Sequence, residues 1–157
     1  MSLRTPIGST HQLARLLQIG VVLEEVVEAR AAKHAQATGD EAVTAMLEDA
    51  AEESADHRDR LEAIIDELDA DTVPFDEIKA LVEAQYEADQ DFDGILYDQL
   101  CNEETAYKFY DDLIGAIEAS DADFGIDRDH LLSVLEGIRD EEAAGVEEVA
   151  ELMEESR

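Results

Sequence analysis

The sequence predicts an all-α fold of four long helices and one short connecting helix. Three observations carry it. Apolar residues recur at the three-four spacing of an amphipathic helix in four long stretches. No stretch alternates with period two over a useful length, so no sheet is expected. Pro74 and the glycine- and aspartate-rich segments fall between these stretches rather than inside them.

The first helix is expected from about Thr10 to Ala37, with Gly39 as its stop. Asp40 then caps a second helix that runs to about Leu68. "DADTVP" ends it, because a residue before proline avoids the helical conformation. "FDEIKALVEAQYEA" reads as a shorter helix over about 75–88, followed by a loose joint, "DQDFDG". A third long helix covers about 94–119, "SDADFGIDRD" turns the chain, and a fourth runs from about 128 to the end.

The length, 157 residues, fits a single domain, 1–157, with room for a proper core, and the 45% apolar content is ordinary for a globular chain. The charge is not ordinary. Asp and Glu number 42 against 11 Lys and Arg, a formal net charge of −31 spread along every segment. Such a surface repels itself in dilute buffer and is screened in strong salt, which suits a salt-rich cytoplasm of the halophile type. It disfavours nucleic acid and anionic membranes as partners. With one cysteine, Cys101, there is no intrachain disulfide and no paired-cysteine metal knuckle. The start, "MSLRTPIGST", has no apolar signal core, and no apolar run approaches a membrane span, so a soluble cytoplasmic protein is expected.

Each apolar stripe is interrupted at mid-length by a polar residue. The first carries Leu17, Val21, Glu24, Glu28, Ala31 and Ala35; the second Val43, Leu47, Ala50, Ser54, His57, Leu61, Ile64 and Leu68. The third carries Leu96, Leu100, Glu103, Tyr107, Tyr110, Ile114 and Ile117; the fourth Leu131, Leu135, Ile138, Glu142, Gly145, Val149 and Leu152. A purely structural bundle would place Leu or Ala there. An unpaired buried carboxylate costs several kcal/mol, so an inward mid-helix acid suggests a ligand or a partner. The chain also repeats itself. "EARAAKHA" (28–35) aligns with "EETAYKFY" (103–110), and "LEDAAEESADH" (47–57) with "LEGIRDEEAAG" (135–145) without gaps. Glu53 then pairs with Glu141, Ser54 with Glu142 and His57 with Gly145. The chain reads as a duplicated helical hairpin, with the segment from about 70 to 93 as the crossover joining the two halves along their length.

These residues resemble the ferritin-like superfamily, in particular its rubrerythrin-type four-helix bundles, which are built from two helical hairpins joined by a crossover. The resemblance covers nearly the whole chain and implies a centre for two iron or manganese ions. Glu28 and Glu103 fall on the ligand positions of the first and third long helices. On the second, His57 matches the family histidine, but Ser54 replaces the glutamate before it. On the fourth, Glu142 matches the glutamate, but Gly145 replaces the histidine. The two Glu-x-x-His motifs have become Ser-x-x-His and Glu-x-x-Gly. Glu53, one turn before His57 and rotated only about 40° around the helix, is a candidate substitute for the missing acid. The rubredoxin-type cysteine module is absent.

The candidate metal ligands are therefore Glu28, Glu53, His57, Glu103 and Glu142, an oxygen and nitrogen set that suits iron, manganese or zinc as one or two ions. Glu24, Glu48 and Glu52 are expected to be solvated or to support the ligands, His11 and His130 to lie at the surface, and Tyr107 and Tyr110 to be core or to donate to a ligand carboxylate. Three functions remain open. One is a ferritin-like metal-binding protein with an incomplete di-iron site and a non-haem iron redox or oxidative-stress role. The second is a vestigial bundle, without metal, acting as a non-catalytic binding or structural module. The third sets the resemblance aside: a helical-bundle adaptor that binds a partner helix, its mid-stripe acids reflecting an acidic proteome. The missing histidine at Gly145 argues for a reduced site, and the residues leave open whether the protein is an enzyme. "FDEIKALVEAQY" is a candidate to cover an edge or to mediate a homodimer.

Overall fold

The computed structural model describes residues 7–87 and 94–155. The described chain is all-helical: α1 (Thr10–Ala37), α2 (Glu41–Glu67), α3 (Phe75–Glu87), α4 (Ile95–Glu118) and α5 (Arg128–Glu155), with no strand among these residues. The expected joint "DQDFDG" lies outside the described residues except for Gly94.

The helix ends follow local chemistry. The Ser9 hydroxyl accepts from the Gln12 N–H, and Asp40 Oδ1 accepts from the N–H groups of Ala42 and Val43 at 2.9 and 3.1 Å, satisfying first-turn donors of α1 and α2. Gly39 is not the left-handed stop its position suggests. Thr38 leaves the helix in an extended conformation (φ −80°, ψ 146°) while its N–H still reaches the His34 carbonyl, and the positive-φ glycines are Gly94 and Gly125. The turn between α4 and α5 is held by Arg128, whose guanidinium donates to the carbonyls of Ile117, Ser120 and Ala122 at 2.7–2.9 Å, so a side chain satisfies orphan groups at the end of α4.

α1 packs along α2, and α4 along α5, as two close hairpins. Contacts fix the directions. Gly20 faces Leu61 and Phe109, Tyr110 reaches Glu24, and Asp98 meets Arg30 and His34, so α4 runs antiparallel to α1. Arg60 meets Glu141, while Val43 and Met46 share a cluster with Val149, so α5 runs antiparallel to α2. α2 and α4 therefore run the same way, and the chain between them must travel the length of the helices. α3 makes this crossing against α1, seating Ile78 and Val82 on Val22, Ile19 and Val26. Buried Gln18 clamps its approach through two bonds to the backbone of Val73, donor to carbonyl at 2.8 Å and acceptor from N–H at 3.2 Å.

The apolar core concentrates at one end, around Leu13, Leu17, Leu61, Leu113, Ile117, Leu131, Leu135 and Ile138, with a smaller cluster of Ala31, Val43, Leu47 and Val149 toward the other. Burying a side chain of the Leu or Ile kind stabilises by roughly 1.5–3 kcal/mol. Between the two clusters the interior is polar.

The stripes of α2 and α5 face inward as expected. That of α4 does not in its first half. Glu103 is buried as expected, but so are Asp98, Gln99 and Asn102, while Leu96 and Leu100 are only half-buried and Tyr107 is exposed. The cause is an ion cluster: Asp98, shut off from solvent, takes Arg30 Nη2 at 2.7 Å on one oxygen and His34 Nε2 on the other. That pairing rotates the polar face of α4 onto α1.

Candidate metal centre

The polar layer is built from four helices. α1 supplies Glu24, α2 His57, α4 Glu103 with Gln99 and Tyr110, and α5 Glu142, all buried. His57 Nδ1 lies 3.0 Å from Glu142 Oε1 and 3.5 Å from Glu24 Oε2. Tyr110 donates its hydroxyl to Glu24 Oε1 at 2.9 Å, and Gln99 Nε2 donates to Glu103 Oε1 at 2.9 Å. Within this layer Glu24 Oε2, His57 Nε2 and Gln99 Oε1 are buried without a hydrogen-bond partner.

Glu103 lies beside Gly145. A Cβ at that glycine would stand 2.7 Å from Glu103 Oε2, closer than such atoms approach. The carboxylate thus uses the space that a side chain at position 145 would need, and any larger residue there would have to displace it.

Three buried acids and one imidazole cannot all carry charge in so dry a site. Burial, then the hydrogen bond to Glu103 and the charge of Glu24, push the Glu142 carboxyl far above the usual carboxylate range. Burial pushes His57 down, but its pairing with Glu24 at 3.5 Å and the charges of Glu24, Glu53 and Glu141 outweigh it and raise its pKa. Burial, with Glu24 and Glu142 nearby, keeps Tyr110 a phenol, as its role as a donor requires. Raised in this way, Glu142 and His57 favour their protonated forms, which lessens the repulsion among the buried acids.

The five sequence candidates are placed as follows. His57, Glu103 and Glu142 lie in the buried layer. Glu28 does not: it is partly exposed and takes Arg58 Nη1 at 2.6 Å. Glu24, one turn earlier and expected to be solvated or supporting, stands fully buried against His57. Tyr110 singles out Glu24 as a hydrogen-bonded partner, and Arg58 draws Glu28 outward. A signal was present in the sequence, since Glu24 shares its stripe with Glu28 and a cation sits at Arg58. Glu53 is half-buried on the far side of the imidazole, 3.7 Å from Nε2. His11 and His130 are exposed, and Ser54 is buried with no carboxylate to offer.

One oxygen each from Glu24 and Glu142 and one nitrogen of His57 come within 4.8 Å of one another. The partnerless Glu24 Oε2 points at this space. A carboxylate, carboxylate and imidazole set fits a borderline divalent ion of the iron, manganese or zinc kind better than calcium or magnesium. No protein-family model, curated protein or solved structure matches this chain.

Proposed function

We propose that the protein is a ferritin-like metal-binding protein whose four long helices form one bundle around a single inner ion held by Glu24, His57 and Glu142, with Glu103 available beside them. The partnerless Glu24 Oε2, buried 3.5 Å from His57 Nδ1, is the observation that carries this reading. A buried carboxylate oxygen without a hydrogen bond is costly, and His57 meets this one only at the 3.5 Å of an ion pair, which leaves room for a closer cation. In this reading His57 gives up a proton to bind through Nδ1, Tyr110 fixes the Glu24 carboxylate, and Gln99 orients Glu103. Iron(II) bound there would supply redox chemistry with dioxygen or peroxide. The surrounding apolar clusters limit the access of water. The reaction would belong to a reduced centre, because the second Glu-x-x-His motif lacks its histidine. The net charge of −31 supports a protein suited to molar salt in a cytoplasm, and the exposed Phe75 keeps α3 as the candidate homodimer face.

The test separates two neighbouring acids. Zn(II), Mn(II) or Fe(II) uptake should fall sharply in Glu24→Gln and stay near wild type in Glu28→Gln. Equal uptake in wild type and Glu24→Gln would reject the inner centre.

A second reading has its own observation. Glu142 is pushed up so far that it holds a proton at neutral pH, and Tyr110, Gln99 and His57 already supply partners to the acids. A retired centre kept as a proton-sharing polar layer would behave so, and the fold would then serve as a binding or structural module. Glu24→Gln would then leave stability equal or higher, with no metal bound by either protein.

A further inference from the structure

His57 has two faces, and the inner centre uses one. Its Nε2 points away from Glu24, across the α2–α5 seam, toward Glu53 Oε1 and Glu141 Oε1, each 3.7 Å away. Nε2 is buried and has no hydrogen-bond partner. The two carboxylates are 36% and 40% exposed, so the group opens to solvent on its carboxylate side. The distance of 3.7 Å is too long for a hydrogen bond. It is close to the spacing set by a common ion: metal–ligand bonds near 2.1 Å at tetrahedral angles separate ligand atoms by about 3.4 Å.

The support around this trio is also in place. The other ring nitrogen lies on Glu142 at 3.0 Å, the carboxylate–imidazole arrangement that orients a metal-binding histidine. Arg60 steadies Glu141 through Nη1 on Oε2 at 2.7 Å and Nη2 on Oε1 at 3.0 Å. Glu53 and Glu141 are equivalent positions of the two sequence repeats and face each other across the imidazole. This reassigns Glu53 from substitute inner ligand to a different side of the ring.

We propose that Glu53, His57 Nε2 and Glu141 form a second, outer site for a borderline divalent cation at the α2–α5 seam, with water completing its shell. It uses His57 as a neutral imidazole whose Nδ1 proton is donated to Glu142, so the outer site fills while the inner ion is absent; filling both at once would require the ring to lose both protons.

Equilibrium dialysis of the full chain against Zn(II) in concentrated KCl tests it, with folding checked by circular dichroism. Glu53→Gln/Glu141→Gln should weaken one Zn(II) site by about tenfold or more, and Glu24→Gln should leave that site intact. Wild-type binding in the double variant, or a wild-type chain that takes up no Zn(II), overturns the proposal. Loss confined to Glu24→Gln overturns it too, while leaving the inner centre standing; loss confined to the double variant does the reverse. If the double variant fails to fold, Glu53→Gln alone carries the same expectation, because Glu141 then keeps its pairing with Arg60.

Discussion

The Glu103 carboxylate fills the space beside Gly145, with its Oε2 2.7 Å from where a Cβ would stand. Alanine in place of glycine normally gains a helix about 1 kcal/mol, whereas overpacking costs about 1–3 kcal/mol. The contact is with the flexible end of Glu103, held by Gln99 at 2.9 Å. Gly145→Ala should therefore displace that carboxylate and lose most of the helix gain in the wild-type chain, leaving it near neutral, while stabilising a Glu103→Ala background by up to about 1 kcal/mol. Denaturant unfolding of the four proteins measures this coupling. Equal effects in both backgrounds would mean that the close approach is relieved at no cost.

The metal-free protein should be most stable in mild acid. Burial raises Glu53 from 4.5 to about 7 against the opposing charge of His57, with the charges of Glu103, Glu141 and Glu24 adding to the rise. His57 is raised above 6.5. In both cases the folded chain binds protons that the unfolded chain has released, so stability falls as pH rises. The fall runs from about 4.5 to about 7 for Glu53 and from 6.5 upward for His57. Glu141 acts oppositely: Arg60 lowers it, and its contribution is lost as pH drops below 4.5. Melting temperatures across pH should show the decline, with a shallower slope in Glu53→Gln. A melting temperature that rises from pH 5 to pH 8 would contradict the assignment of protons to the cluster.

Asp98 should matter to stability and not to metal. Removing one partner of a fully buried ion pair costs roughly 3–5 kcal/mol. Arg30 and His34 are each 21% exposed and can partly recover water, so Asp98→Ala should cost about 2–3 kcal/mol. Unfolding and metal uptake measured on the same variant check both halves of this expectation.

Salt should stabilise. A net charge of −31 works against compactness, and the screening length shrinks from about 10 Å at 0.1 M to about 3 Å at 1 M salt. The melting temperature should climb steeply over that range in KCl. A flat response would show that the acids are neutralised locally.

Much of the fold was legible because helices announce themselves by period and by caps: the expected and observed ends of the four long helices agree within a residue or two wherever the end lies among the described residues, and Asp40 caps where it should. His57 and Glu142 were legible as inward residues for the same reason. Glu24 was not, because two acids one turn apart share a stripe, and the choice between them rests on partners from other helices, Tyr110 and Arg58. The first half of α4 escaped as well. Its stripe through Leu96 and Leu100 is a sound local pattern, overridden by the pairing of Asp98 with residues more than sixty positions away. Periodicity reports which face is apolar; it does not report long-range ion pairs.

The most direct test of the account is metal retained per chain. The stripped protein would be incubated anaerobically with Fe(II), desalted in concentrated KCl and analysed by mass spectrometry beside His57→Ala, which removes both ring nitrogens. The account predicts at least one ion retained by the wild type and none above background in the variant. Equal retention in the two proteins would contradict it and leave His57 as a buried histidine in a proton-sharing polar layer.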